Sequence, residues 1–449
     1  MKNIRQQSLY LVSLGCPKNL VDSEVIAGNL LSNGAVWAYE PEEATVYVIN
    51  TCAFLPEARE EAAQEIESAI VWKSASPETR TVVVCGCLSQ YDKDGSFARR
   101  FPEVDIWAGV DDISVLNDII AGKKAVSRTR DYLYDSSTPL LPLTLEHTAY
   151  LKIADGCNNI CSYCAIPSLR GCLRSRRLED IVNEAKLSIA NGAKELILVA
   201  QDITAYGMDR PQDNEDLPAL LTALDELDGD FGIRMLYTHP AHYTDKLFSV
   251  LGRLKHLIPY VDIPLQHISD RILKAMNRHV DSARIKEVIA GLREAVPQIT
   301  IRTTFITGLP GESEEEFAEL EDFIKATKFD RVGVFPYSPE PGTPAASMTD
   351  QVPHHIAEER AAKIMTYCRG AMKRANKKLI GRVFDVIVDS VGEGYAVARG
   401  NSDAPDIDNV IFVEGISAKT VPGQRLTVEI IDTDKSDLVA VVKKGKKKK

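Results

Sequence analysis

The chain has 449 residues, 45% of them hydrophobic, and a formal net charge of −11. That length is too great for one ordinary domain, and the acidic balance excludes broad, sequence-blind binding to nucleic acid. No run approaches the ~20 apolar residues of a membrane span, and Met1–Gln7 lead into a strand without the apolar stretch of a signal peptide, so a cytoplasmic protein without membrane association is expected.

Residues 1–126 alternate strands and helices. Leu9–Ser13, Ala44–Asn50 and Thr81–Cys85 read as strands, with helices over Asn19–Asn33 and Glu57–Lys73. Apolar runs separated by helices predict a doubly wound parallel sheet. Residues 127–146, with Ser136-Ser137-Thr138-Pro139 and Pro142 and no clear period, read as a linker. Over 147–378 the alternation resumes for six strands, at Tyr150–Ala154, Glu195–Ala200, Ile233–Tyr237, Tyr260–Pro264, Thr300–Ile306 and Arg331–Phe335. Helical spacing lies between them, and Ser313 with Glu316 forms a candidate capping box. Six units are two short of a full barrel, which predicts a partial, TIM-like (β/α)6 barrel. A basic helix over Ile356–Lys378 follows. Residues 379–442 are short strands with turns, the pattern of a small antiparallel β-barrel. A Lys-rich tail, 443–449, ends the chain.

Nine cysteines in a cytoplasmic chain point to metal or catalysis more than to disulfides. Cys157, Cys161 and Cys164 fall within eight residues. Three thiolates on one loop suit an iron–sulfur cubane that keeps one iron open, whereas structural zinc needs four ligands. A zinc site closed by Cys172 is the competing reading. A second set comes from farther apart. Each of the first three strands delivers a cysteine near its carboxyl end: Cys16, Cys52 and Cys87. In a parallel sheet those ends share one edge, where ligands bind, so the three are expected to converge on a second cluster. Cys85, inside its strand, reads as core.

The loop Asp155–Cys164 resembles the signature of the radical S-adenosylmethionine (SAM) enzymes. Ser13-Leu14-Gly15-Cys16-Pro17-Lys18-Asn19, Asn50-Thr51-Cys52, Gly86-Cys87, Ile166-Pro167 with Arg170-Gly171, Arg174-Ser175-Arg176 and Pro264-Leu265-Gln266-His267 resemble the methylthiotransferases of that superfamily along nearly the whole chain. The resemblance implies an N-terminal methylthiotransferase domain, a radical SAM barrel and a C-terminal TRAM barrel. It implies two [4Fe–4S] clusters, one on Cys157, Cys161 and Cys164 that binds S-adenosylmethionine, the other on Cys16, Cys52 and Cys87. Pro17-Lys18 is similar to the members acting on ribosomal protein S-twelve; those acting on tRNA adenosines usually carry Gln-Met there. The implied reaction replaces a C–H at the β-carbon of an aspartate by C–S–CH3, with an electron donor such as flavodoxin or ferredoxin. Charge favours the same substrate, because 379–442 hold eleven Asp and Glu against five Lys and Arg, a net −6. That sign attracts a basic ribosomal protein and repels phosphates.

Tyr163 is a candidate to pack on the adenine, an ordinary barrel-rim aromatic being the alternative. Gln201, just past the second barrel strand, sits where cofactor contacts collect. Arg170, Arg174, Arg176 and Arg177 either steer an aspartate-bearing substrate or form a solvated face. The turn Ile306–Glu312 is expected to flank the cofactor. No catalytic side chain is assigned. The alternatives are a tRNA adenosine methylthiotransferase, a two-cluster electron carrier, and a zinc-stabilised RNA-binding protein.

Overall fold

The computed structural model describes residues 7–123 and 132–443. Five parallel strands form the first sheet: β1 (Ser8–Ser13), β2 (Val36–Trp37), β3 (Val46–Thr51), β4 (Thr81–Gly86) and β5 (Ile106–Ala108). Their order is β2-β1-β3-β4-β5, a doubly wound arrangement whose strand order reverses between β1 and β3. β3 and β4 are almost wholly buried, which explains their unbroken apolar sequence. Helices α1 (Pro17–Ser32) and α2 (Pro56–Ser74) each begin on a proline. Its fixed φ suits the first turn and its missing N–H removes a donor that would have no partner there. β2 and β5 were not expected. Strands of two and three residues have no usable pattern of their own and exist because a neighbour pairs with them.

The six expected barrel strands are present: β6 (Thr148–Lys152), then β9 (Glu195–Val199), β10 (Gly232–Met235), β11 (Leu257–Asp262), β12 (Thr300–Thr307) and β13 (Arg331–Pro336). They pair in parallel and in chain order, as an open sheet. The short strands β7 (Ala154–Asp155) and β8 (Arg174–Ser175) form a separate hairpin beside the cysteine loop. Side chains alternate across the sheet. Leu196 and Leu198 join the core under the outer helices. Ile197, Val199, Tyr150 and Tyr260 join the core of the N-terminal unit, so that unit fills the concave face of the open barrel. The capping box of Ser313 and Glu316 forms as expected at the helix Glu314–Thr327.

The expected linker is a packed strap where it is described. Residues 127–131 lie outside the described residues. Beyond them, the Leu141 N–H donates to the Glu24 carbonyl, and the Leu143 N–H to the Glu24 carboxylate. Tyr134 is buried, with the Arg176 guanidinium stacked on its ring.

The helix His354–Lys377 leads into a closed barrel of β14 (Val383–Val391), β15 (Tyr395–Arg399), β16 (Ile411–Glu414), β17 (Arg425–Asp434) and β18 (Asp437–Val442). Four of its pairings are antiparallel, as expected. The fifth, β16 with β18, is parallel. The β16–β17 connection skips one position, and the β17–β18 hairpin folds back into the gap. Between β15 and β16 the chain reaches the amino ends of the larger barrel's strands. Asp403 pairs with Arg331 at 2.6 Å, Asp408 accepts from Tyr260 at 2.6 Å, and Arg399 meets Glu195 at 2.9 Å. Three of the eleven carboxylates, Asp389, Asp403 and Asp408, are thus spent inside the molecule. The remaining surface of the small barrel is still acidic. Among the described residues, no helix is long and apolar enough to cross a membrane.

Candidate metal and cofactor site

The carboxyl ends of β1, β3 and β4 are knitted together by side chains of the segments that carry the cysteines. The Asn19 amide donates to the carbonyls of Leu14 at 2.7 Å, Asn50 at 3.3 Å and Thr51 at 3.4 Å. The Asn50 amide donates back to the Asn19 carbonyl at 2.9 Å. The Thr51 hydroxyl donates to the Cys85 carbonyl at 2.6 Å and accepts from the Leu88 N–H. Close approach then demands glycine at two positions. Gly15 has φ +94°, and a Cβ there would lie 2.5 Å from that of Cys52; Gly86 has φ +91°, and a Cβ would lie 2.2 Å from the Asn50 side-chain oxygen. A larger residue is strained at either position.

The result brings Cys16, Cys52 and Cys87 into one electrostatic neighbourhood, at the β1/β3 reversal point where doubly wound sheets bind ligands. Burial pushes the Cys87 thiol up to about 11; Cys16 and Cys52 add to the rise and Arg170 opposes it. Burial likewise raises Cys52, with Cys16 contributing. Cys85, fully buried behind them, is core as expected.

The second triad is local. The Cys157 N–H donates to the Gly171 carbonyl and the Cys164 N–H to the Cys161 carbonyl, both at 3.1 Å. Burial pushes Cys157 up to about 11 and Cys164 up to about 12, and Cys161 raises both. Among the described residues, neither set of three cysteines brings all its sulfurs within 4.8 Å of one another. A single tetrahedral zinc with Zn–S near 2.3 Å would need sulfurs about 3.8 Å apart. Three thiolates in each set suit a cluster that keeps one iron open. Cys172, the fourth ligand of the competing zinc reading, is exposed.

Arg170 joins the two triads. It ends the short helix Ile166–Arg170 that follows Cys164, and it is 3% exposed. Its guanidinium donates to the Cys87 sulfur at 3.2 Å, to Asn19 Oδ1 at 3.1 Å, and to Asp22 at 2.6 Å and Asp155 at 3.3 Å. Lys152, equally buried, pairs with the same two carboxylates. Burial alone would raise the Asp155 pKa, but Lys152 and then Arg170 hold it well below the carboxylate range. Neither sequence reading of the arginines holds for Arg170, nor for Arg176, which is buried against Glu184 at 2.6 Å. Asp22 lies far from Arg170 in sequence, and Glu184 stands on the helix that follows Arg176. Arg177 is exposed.

Gln201 donates to Asp155 Oδ1 at 2.8 Å. Its Oε1 is shielded from solvent and has no hydrogen-bond partner among the described residues, which leaves an acceptor for an ammonium group. Tyr163 is partly buried in an apolar group with Met276 and Leu309. Its hydroxyl lies 3.4 Å from Arg278, which also donates to the Cys161 sulfur at 3.6 Å and the Pro264 carbonyl at 2.6 Å.

Sequence reasoning missed a further tie. The Asp202 carboxylate accepts from Asn159 at 2.7 Å, from His242 Nδ1 at 2.8 Å, and from the Thr204 N–H and hydroxyl. Asn159 in turn donates to Cys157. Asp202 thereby pins the cysteine loop to the ends of β9 and β10. His239-Pro240-Ala241-His242, two histidines just past a strand end, was the available signal.

Three family models match the chain: the Radical SAM superfamily over residues 151–324, the uncharacterized protein family UPF0004 over 8–109, and the TRAM domain over 380–442. The chain is 42% identical over 456 residues to the ribosomal protein uS12 methylthiotransferase RimO of Akkermansia muciniphila, covering 96% of this chain and 98% of that protein. It is 40% identical over 451 residues to the protein of the same name from Myxococcus xanthus, covering 98% and 93%. Among solved structures, the radical S-adenosylmethionine methyltransferase TsrM from Kitasatospora setae aligns with a TM-score of 0.54 at 14% identity, over 75% of this chain and 74% of that one. The cobalamin-dependent radical enzyme OxsB aligns at 0.53 and 10%, over 81% and 56%. At such identities these two speak to the fold alone.

Proposed function

Since the chain belongs to the radical SAM methylthiotransferases, in the family of the ribosomal protein uS12 methylthiotransferases RimO, we propose that it places a methylthio group on the β-carbon of an aspartate of ribosomal protein uS12, in the cytoplasm. Membership brings with it a [4Fe–4S] cluster and S-adenosylmethionine, and we assign the cluster to Cys157, Cys161 and Cys164. A second [4Fe–4S] cluster is assigned to Cys16, Cys52 and Cys87, with its open iron left for a sulfur ligand. Bound there, these groups supply a carbon-centred radical and a transferable sulfur, the two things no side chain can offer to an unactivated C–H bond.

The remaining work falls to this chain's own residues. Arg278 and Arg170 place buried positive charge against Cys161 and Cys87, and at Cys87 that charge opposes the rise that burial gives the thiol. Gln201 Oε1 is assigned to the ammonium of S-adenosylmethionine and Tyr163 to its adenine. The barrel's concave face, covered by the N-terminal unit, keeps water from the reacting carbon. An electron donor of the flavodoxin or ferredoxin type is required to start the reaction.

The observation that carries the two-cluster reading is the contact of Arg170 with Cys87. The helix Ile166–Arg170 runs from just past Cys164 to the side chain that touches Cys87, so groups held by the two triads would be neighbours. The surface carboxylates of the small barrel suit a basic protein better than tRNA. The test is reconstituted enzyme offered purified uS12 and tRNA together. Mass spectrometry should find one hydrogen of a uS12 aspartate replaced by SCH3. Methylthiolated adenosine beside unmodified uS12 would overturn the reading.

A further inference from the structure

Lys18 follows Cys16 by two residues, in the first turn of α1. Its ammonium rests 3.3 Å from the centroid of the Tyr237 ring. Tyr237 lies just past β10, on the barrel's carboxyl edge, with φ +61°, a left-handed conformation rare for an aromatic residue. Its hydroxyl is close enough to Cys16 for that thiol to raise its pKa, after burial. The lysine therefore reaches from the first triad into the mouth of the barrel.

Other cations at this seam are committed. Arg59 holds Glu340, Lys152 and Arg170 share Asp22 and Asp155, Arg302 holds Asp262, and Arg278 is bonded to Cys161 and Pro264. Lys18 has no ion-pair partner and no hydrogen-bond acceptor among the described residues. It is only half-buried, so an incoming group can reach it. A lysine in the first helical turn also has the wrong sign for the helix dipole, and α1 has no acidic residue there to offset it. Structure alone gives no reason for the charge. The ring contact holds the side chain in place, while the ammonium keeps its N–H donors for another group.

We infer that Lys18 binds the carboxylate of the target aspartate, an inference resting on the uS12 reading above. A carboxylate is the charge-assisted complement of an ammonium. In aspartate the carboxylate carbon is bonded to the β-carbon, so fixing the one places the other within a bond length. Lys18 is in this sense a substrate-positioning residue, acting on a group adjacent to the reacting atom.

The test is equilibrium binding of uS12, and of uS12 with the target aspartate replaced by asparagine, to reconstituted enzyme in the absence of reductant. Wild type should prefer the aspartate form by about 10- to 100-fold, the range of a hydrogen bond to a charged group. In Lys18→Met the two forms should bind alike, and Lys18→Arg should restore most of the preference. Iron content of each variant checks that the fold and the neighbouring triad survive. Undiminished preference in Lys18→Met would overturn this inference alone. Failure of wild type to bind uS12 at all would overturn the functional reading and this inference with it.

Discussion

Cys157, Cys161 and Cys164 arrive on one loop, whereas Cys16, Cys52 and Cys87 arrive from three strands and depend on Asn19, Asn50, Thr51 and two glycines to meet. The local triad carries most of its geometry in its spacing. The distributed triad exists only when the first sheet is formed and the carboxyl ends of its strands are tied. The two should therefore fail differently, and the largest expected effect comes from removing each in turn. Replacing Cys16, Cys52 and Cys87 together by Ala should take anaerobically reconstituted protein from about eight irons to about four. Methylthio transfer should be lost while reductive cleavage of S-adenosylmethionine survives. Replacing Cys157, Cys161 and Cys164 should leave the same iron count and abolish both. Equal loss of S-adenosylmethionine cleavage in the two variants would erase the distinction.

Arg170 offers a sharper cut, because it supports the distributed triad from the barrel side. Arg170→Met removes one of the two buried cations that pair with both Asp22 and Asp155 and leaves Lys152. Removing one partner of a buried ionic network costs about 3–5 kcal/mol. Denaturant unfolding should show a loss of that order, and reconstitution should show iron lost from the distributed set before the local one. Arg170→Lys should recover part of the stability, since a single ammonium cannot reproduce bonds to Asp22, Asn19 and Cys87 at once. Unchanged stability in Arg170→Met would mean that the network is solvated and the two halves are held together elsewhere, at Arg59 and Glu340 for example.

The contrast also explains what was legible in the sequence. The local triad is a spacing, and spacing is written directly in the chain. The distributed triad was legible at one remove: apolar runs mark parallel strands, and parallel strands share a carboxyl edge. Arg170 was not legible, because Asp22 and Cys87 belong to another unit and a run of four arginines in eight positions looks the same whether buried or solvated. The same limit applies to charge. Eleven carboxylates in the small barrel suggested an acidic surface, yet Asp403 and Asp408 point into the floor of the larger barrel. Sequence counts charges; only the fold says which of them water still sees. Gln201 was placed correctly at a strand end, but its bond to Asp155 and its orphan oxygen are products of the tertiary arrangement.

The smallest expected effect tests the claim that the local triad is largely self-supporting. His242 is the outermost member of the tie that runs through Asp202 and Asn159 to Cys157, its side chain 19% exposed. His242→Phe removes one of four donors to Asp202 and leaves Asn159 and both Thr204 bonds in place. Loss of one hydrogen bond to a carboxylate that keeps its other partners should cost about 1–2 kcal/mol. All of the iron should remain, because the three sulfurs are still tethered within eight residues of chain. Unfolding midpoint and iron analysis on the same preparation give both readouts. A variant that lost the local iron as readily as Arg170→Met loses the distributed iron would show that both triads are assembled from outside, and that spacing alone does not build either one.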